Sequence, residues 1–433
     1  MTRLRHATHD TFRSFGIRNF RLFFGGQLIS QVGNWLTLVA QTLLVLKLTD
    51  SGYALGALAA AQFGPVLLIG AFAGLMADRS DKRRLLMIVQ VLAMAQSFCL
   101  AILGFMAHPP LLAIYGVAVF SGIATAFDNP ARRSFVVEMV PEDHLQNAVS
   151  LNSALMTGSR VFGPALAGLL VTTVGFGWCF LLDALSYLPV IAAYWRMNTA
   201  ELRQAPVTPK GKGQIREGLR YARSIPELWV PLLMMTIIGT LAFNFQTVLP
   251  LFATRDLHGD DVTFTWLLSI VSVGSLLAAL ASARRTTIDV ATLSRSALVF
   301  GVAMSLLAIA PNRPAAFAVG FLVGFGSLTF MTAATAITQL AATPSMRGRV
   351  LALQAIVFLG STPIGGPILG AISESFGARY GIAVGAAATL AAGGFGLFTV
   401  RRSRTIPLKE VDAIPFRADA PGDLTGLLTP KAS

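Results

Sequence analysis

The sequence predicts an all-α polytopic membrane protein, with twelve transmembrane helices arranged as two parallel six-helix halves. Three observations predict it. The 433 residues are 54% hydrophobic and only 13% charged, about half the charge of a soluble globular domain. The apolar residues gather into runs long enough to cross a bilayer, each needing about 20 residues for a core of roughly 30 Å. Finally, proline and glycine landmarks recur at an offset of 203 or 202 residues.

The sharpest boundary is Gly74-Leu75-Met76-Ala77-Asp78-Arg79-Ser80-Asp81-Lys82-Arg83-Arg84, where six charges fall within seven residues. Gly52 to Ala77 before it and Leu85 to Ala107 after it carry no charge. Such a turn cannot lie in hydrocarbon and must sit at the membrane surface. On the same reasoning the twelve spans are placed at 21–48, 52–77, 85–107, 110–133, 148–173 and 176–197, then 228–254, 262–283, 290–310, 314–340, 349–375 and 380–401. Turn chemistry separates them at Asp50-Ser51-Gly52, His108-Pro109-Pro110 and Pro311-Asn312-Arg313-Pro314. The chain therefore divides into an N-terminal tail (1–20), a first half (21–197), a linker (198–227), a second half (228–401) and a tail (402–433) expected to be disordered. Within the linker, Gln214 to Arg223 reads as a short amphipathic helix at the membrane surface.

The repeat relates the halves. Pro141 matches Pro344, and Gly163-Pro164 matches Gly366-Pro367, each 203 residues on. Gly168 matches Gly370 and Gly175 matches Gly377, each 202 on. The charged turn has only a worn counterpart, Arg284-Arg285, without acidic residues.

The net charge of +13 raises the possibility of nucleic acid, but its distribution answers it. Of 34 Lys and Arg, 29 lie in tails, alternate loops and their flanks, and the linker, all facing one side; Lys47, Arg160, Arg255, Arg313 and Arg379 are the rest. That asymmetry places both termini in the cytoplasm. It leaves no basic soluble module for nucleic acid. The two cysteines, Cys99 and Cys179, suggest neither disulfides nor a metal site, and the five histidines lie in tails or loops. No phosphate-binding glycine loop and no nucleophile–base constellation occurs, so an enzyme is not expected and no cofactor is called for.

The turn at 74–84 resembles the loop signature of the major facilitator superfamily of secondary transporters. Gly33-Asn34-Trp35, Ala126-Phe127-Asp128-Asn129-Pro130-Ala131-Arg132-Arg133 and Arg160-Val161-Phe162-Gly163-Pro164-Ala165-Leu166-Ala167-Gly168 extend the resemblance from about Phe20 to Arg402. Together they resemble the bacterial branch that holds enterobactin-type siderophore exporters and macrolide efflux proteins, the transmembrane secretion effectors. The last stretch is similar to the Gly-Pro motif of drug/proton antiporters, with Ser159 in place of a usual glycine and Ala167-Gly168 in place of a glycine pair. The resemblance implies a bacterial inner-membrane protein, expected as a monomer, that exports a small amphipathic molecule in exchange for protons by alternating access. Uptake, lipid flipping or a non-transporting receptor on the same scaffold are the alternatives.

Candidate residues follow from the cost of polar groups inside a membrane. Arg160 and Asp183 fall at similar depth in spans five and six. They form either a proton-responsive pair or a permanent structural one, with Asp128 as the second proton-coupling candidate. The charged turn and the end of span four (Gly74, Asp78, Arg79, Asp81, Arg83, Arg84 and Arg132) form a candidate cytoplasmic gate, with Asp78 and Arg132 as its latch. The bland alternative is a local Asp128–Arg132 pair, four residues apart. Gln27, Gln31, Asn34 and Gln41 make one stripe on span one, facing either the substrate cavity or neighbouring helices. Asn244, Gln246, Thr332 and Gln354 are further cavity candidates. Gly163, Pro164, Gly168, Gly366 and Pro367 are placed for helix bending and close packing.

Overall fold

The computed structural model describes residues 13–203, 214–282, 287–399 and 406–407. Twelve helices within them are long and apolar enough to cross a membrane. The first six are Arg18–Thr49, Gly52–Arg79, Lys82–Phe105, Leu111–Met139, Glu142–Thr173 and Phe176–Arg196. The others are the composite Pro226–Asp256, then Asp261–Ser282, Val290–Ala308, Arg313–Ala341, Pro344–Phe376 and Ala378–Thr399. Several run past the apolar segment that marks them in sequence: the fourth continues through Pro130 to Met139, and the fifth begins at Glu142. Hydropathy locates only the part in hydrocarbon, while backbone hydrogen bonding continues the helix into the headgroup region.

Local chemistry sets the ends. Asp81 caps the third span, its side chain accepting from the Arg84 backbone N–H at 3.0 Å. Asp289 and Asn312 cap the ninth and tenth in the same way. Asp50 ends the first span in the left-handed region (φ 43°), which an aspartate tolerates better than a branched residue. The seventh span is broken: a helix to Leu241, an irregular Ala242–Asn244, then Phe245–Leu251 and a π-helical turn Phe252–Asp256.

Packing repeats with the sequence. In the first half, span one lies on five and six, two on four, and three on four and six; in the second, seven lies on eleven and twelve, eight on ten, and nine on ten and twelve. Between halves, two meets eleven and five meets eight, again an equivalent pair. Repeat-related glycines sit at both seams. A side chain at Gly168 would strike Thr265 of span eight, and one at Gly370 would strike the Gly52 carbonyl of span two. The backbones approach there because nothing projects between them. Gly163 and Gly366 are less alike: the first takes the Trp35 side chain from its own half, the second Ala59 across the seam. Pro164, Pro363 and Pro367 lie inside their helices.

The halves share architecture but not charge. In the second, acidic and basic residues stay within a few residues of span ends; in the first, Asp128, Arg132, Arg160 and Asp183 lie well inside. The linker helix is Gln214–Ser224, joined to the second half by Arg349–Glu217 at 2.7 Å. The tail placed at 402–433 lies outside the described residues except Ile406–Pro407. Those two residues pair antiparallel with Thr287–Ile288.

Candidate functional site

The first half encloses two polar clusters. In the deeper one Asp183 is 0% exposed. Thr37 Oγ1 donates to its Oδ2 at 2.6 Å and Ser97 Oγ donates to the same oxygen at 2.7 Å. Ser186 Oγ donates to the Asp183 carbonyl at 2.7 Å and lies 3.4 Å from Oδ1. Gly33 forms the remaining wall, for a side chain there would collide with the Asp183 carboxyl and with Ser186. Among the described residues no cation pairs with this carboxyl. Hydroxyls solvate it, but they do not balance a charge.

The second cluster lies nearer the chain termini. Arg132 pairs with Asp128, Gln90 Nε2 donates to Asp128 Oδ1 at 2.9 Å, and Arg132 Nη1 donates to Gln27 Oε1 at 3.3 Å. Gln31 donates to the same Gln27 oxygen at 3.2 Å, while Gln27 donates to the Tyr194 hydroxyl at 3.1 Å. Between the clusters Tyr187 donates to Asn34 Oδ1 at 2.8 Å. Gln41 donates to the Ile114 carbonyl and accepts from Gln62.

This arrangement corrects three expectations. Gln27 and Gln31, 1% and 8% exposed, do not line a cavity; Gln27 and Gln41 join helices inside the first half, and Gln31 bonds Gln27 one turn away. Only Asn34 of that stripe is exposed. Arg132 does not latch to Asp78. It is taken by Asp128 and Gln27, while Asp78 and Arg79 are exposed and find no partner among the described residues. Nor do Arg160 and Asp183 pair. They match in depth, but span one stands between them. Thr37 on one of its faces reaches Asp183, and Trp35, about 200° away around a helix advancing 100° per residue, lies under Arg160 at 6.0 Å.

The other gate residues have structural partners. Arg83 donates to the carbonyls of Tyr194 at 2.5 Å and Trp195 at 3.1 Å, tying the charged turn to the end of span six. Asp81 and Arg84 form an exposed pair at 3.4 Å, and Gly74 passes close to Pro130. Lys82, not singled out above, makes a buried 2.6 Å pair with Glu138. In the second half, Asn244 is buried at the break in span seven and donates to the Thr240 carbonyl, while Gln246 is half-buried. Gln354 is buried against Thr335 at 2.9 Å, and Thr332 meets Ser282 at 3.3 Å. Phe243, Phe245, Phe300 and Phe358 form an aromatic cluster beside the break.

The sequence reading missed a set of bonds between halves at the end opposite the termini. Arg255 pairs with Glu374 at 3.2 Å and with Asp50 at 3.4 Å, and also donates to the Asp50 carbonyl. Glu374 accepts from the Gly52 N–H at 2.6 Å, and Tyr53 meets Ser375 at 3.2 Å. A signal was available: Arg255 is one of five basic residues off the positive side, and each has a local contact. Arg379 pairs with Asp256, Arg313 caps the Leu257 and His258 carbonyls, Lys47 stacks on Phe176, and Arg160 on Trp35.

A family model described as transmembrane secretion effector matches residues 9–421. The chain belongs to that family of major facilitator transporters. The multidrug efflux pump Tap of Mycolicibacterium fortuitum is 26% identical over 81% of this chain and 88% of the relative. The staphyloferrin A transporter of Staphylococcus aureus is 23% identical over 60% of this chain and 66% of its own. A bacterial homologue of the human lysosomal transporter Spinster shares the fold, with a TM-score of 0.67 at 15% identity over 90% of this chain and 96% of that one. This transmembrane secretion effector is thus a multi-pass membrane transporter, not an enzyme.

Proposed function

We propose that the protein is a proton-driven exporter that carries a small amphipathic molecule out of the cytoplasm by alternating access. The observation that carries this reading is Asp183, sealed in the first half with hydroxyl partners and no cation. A carboxyl in that setting can exchange one proton with little rearrangement of its neighbours. Each exchange also changes whether a charge must be accommodated there. Asp128, already balanced by Arg132, is the weaker candidate.

The positive-inside distribution supports placing both termini in the cytoplasm. The bonds from Arg255 to Asp50 and from the Gly52 N–H to Glu374 would then close the outer side, leaving a cleft between halves to open inward. Protonation and cargo would together bias the exchange between this arrangement and its opposite. The names of the relatives, a multidrug pump and a siderophore transporter, support export of a drug-like or siderophore-like cargo.

The test is accumulation of a macrolide, a cationic dye and a catecholate siderophore in cells stripped of their own pumps, with and without an uncoupler, beside Asp183→Asn. Expected is lowered accumulation of at least one compound, abolished by both the uncoupler and the substitution. Efflux that survives the uncoupler would overturn proton drive. Efflux that the uncoupler stops but Asp183→Asn spares would remove Asp183 from the coupling.

A further inference from the structure

Arg160 is the one charged side chain deep within the described spans that is exposed and has neither an ion pair nor a hydrogen bond among the described residues. Its direction is fixed by span five. Phe162, Leu166 and Leu169 mark the lipid face, 69%, 37% and 59% exposed. Arg160 projects from the opposite side, in line with Val149 and Ser153, both exposed towards the termini end. Further along that side the helix is covered: Gly163 takes Trp35 of span one, Pro164 and Ala167 are buried, and Gly168 meets Thr265 of span eight. Arg160 therefore stands where this side of span five passes from exposed to covered, just short of the contact with span eight and with Trp35 beneath it.

A guanidinium at mid-membrane depth needs a counter-charge. The nearby acids are committed elsewhere: Asp183 is on the far side of span one and Asp128 holds Arg132. We infer that Arg160 receives the anionic group of the cargo, a carboxylate, phosphate or ionised catechol, while Trp35 carries the adjoining apolar or aromatic part. The guanidinium offers a planar fork for such oxygens. The same charge repels a cationic drug. This names the cargo class of the transport reading above and rests on that reading for its place in a cycle, though not for binding.

Two arms keep the ideas apart. Binding of 5-carboxyfluorescein, an aromatic anion, and of ethidium, an aromatic cation, is measured by fluorescence anisotropy on purified full-length protein. Wild type is compared with Arg160→Gln and Arg160→Lys, each confirmed monodisperse. Expected is carboxyfluorescein binding weakened about tenfold or more by Arg160→Gln, the scale of a lost charge-assisted hydrogen bond. Arg160→Lys should lose less, and ethidium should bind weakly and gain from the glutamine. Failure of wild type to bind the anion, or equal anion binding by wild type and Arg160→Gln, overturns the site. The second arm follows both dyes in everted membrane vesicles energised with a pH gradient. Arginine-dependent anion binding without transport keeps the anion site and counts against export, whereas ethidium transport with no anion binding keeps export and overturns the site.

Discussion

Trp35 and Thr37, two residues apart on the first span, face opposite ways: Trp35 lies under the exposed Arg160, and Thr37 hydrogen-bonds Asp183 inside the first half. A tilt or rotation of this one helix would move both contacts together. It is therefore the element through which cargo beside Arg160 could bias the protonation proposed for Asp183. Thr37→Val should leave ligand binding within about twofold while cutting proton-driven transport several-fold, since one hydrogen bond to a charged group is worth about 1.5–3 kcal/mol. Trp35→Ala should do the reverse, weakening binding first. Parallel binding and vesicle-transport assays on the two variants check this.

Gly33 admits the Asp183 carboxyl because it has no side chain. Gly33→Ala should push that carboxyl off Thr37 and Ser97, with a cost of about 1–3 kcal/mol as for other overpacked sites. Thermal unfolding in detergent reads the loss. Ser97→Ala, which removes one donor without crowding, should cost less.

Gln27 sits in a network with Gln31, Arg132 and Tyr194 rather than in the cleft. Gln27→Ala should lower stability by about 1–3 kcal/mol, because buried partners lose their bonds, and should leave the order of preference among ligands unchanged. A shifted ligand preference at full stability would return Gln27 to the cavity.

Arg255 should hold the halves together at the end opposite the termini through Asp50, with Glu374 of its own half orienting it. Arg255→Gln should move the population towards the opposite opening by about tenfold, the effect of roughly 1.4 kcal/mol. Distances between spin labels on the loops at 50–51 and 257–259, measured by pulsed electron resonance, would lengthen. Unchanged distances would show that the glycine seams alone suffice.

Twelve spans and two parallel halves are legible in the sequence because hydrocarbon imposes one long-wavelength rule on composition. The partner of a polar side chain is not legible in the same way. Depth along a helix follows from counting residues, so Arg160 and Asp183 correctly appear level. Direction around the helix axis is also countable, yet what lies in that direction depends on packing order, and here span one intervenes. The amide stripe shows the same limit. Its alignment is right, but the neighbour it faces is another helix of its own half. Arg255 could have been singled out from its position against the charge asymmetry, whereas Glu374 and Asp50 as its partners needed the structure.

The charge difference between the two halves bears on how such a protein can change over generations. The first half holds every charged residue lying well inside the described spans, and the second keeps its charges at span ends and carries an aromatic cluster beside the break in span seven. On the transport reading proposed above, substitutions around Phe243, Phe358 and Gln246 would leave the acid-bearing interior of the first half untouched. A duplicated scaffold whose copies have parted in this way would let selectivity drift under selection without resetting the proposed coupling site each time.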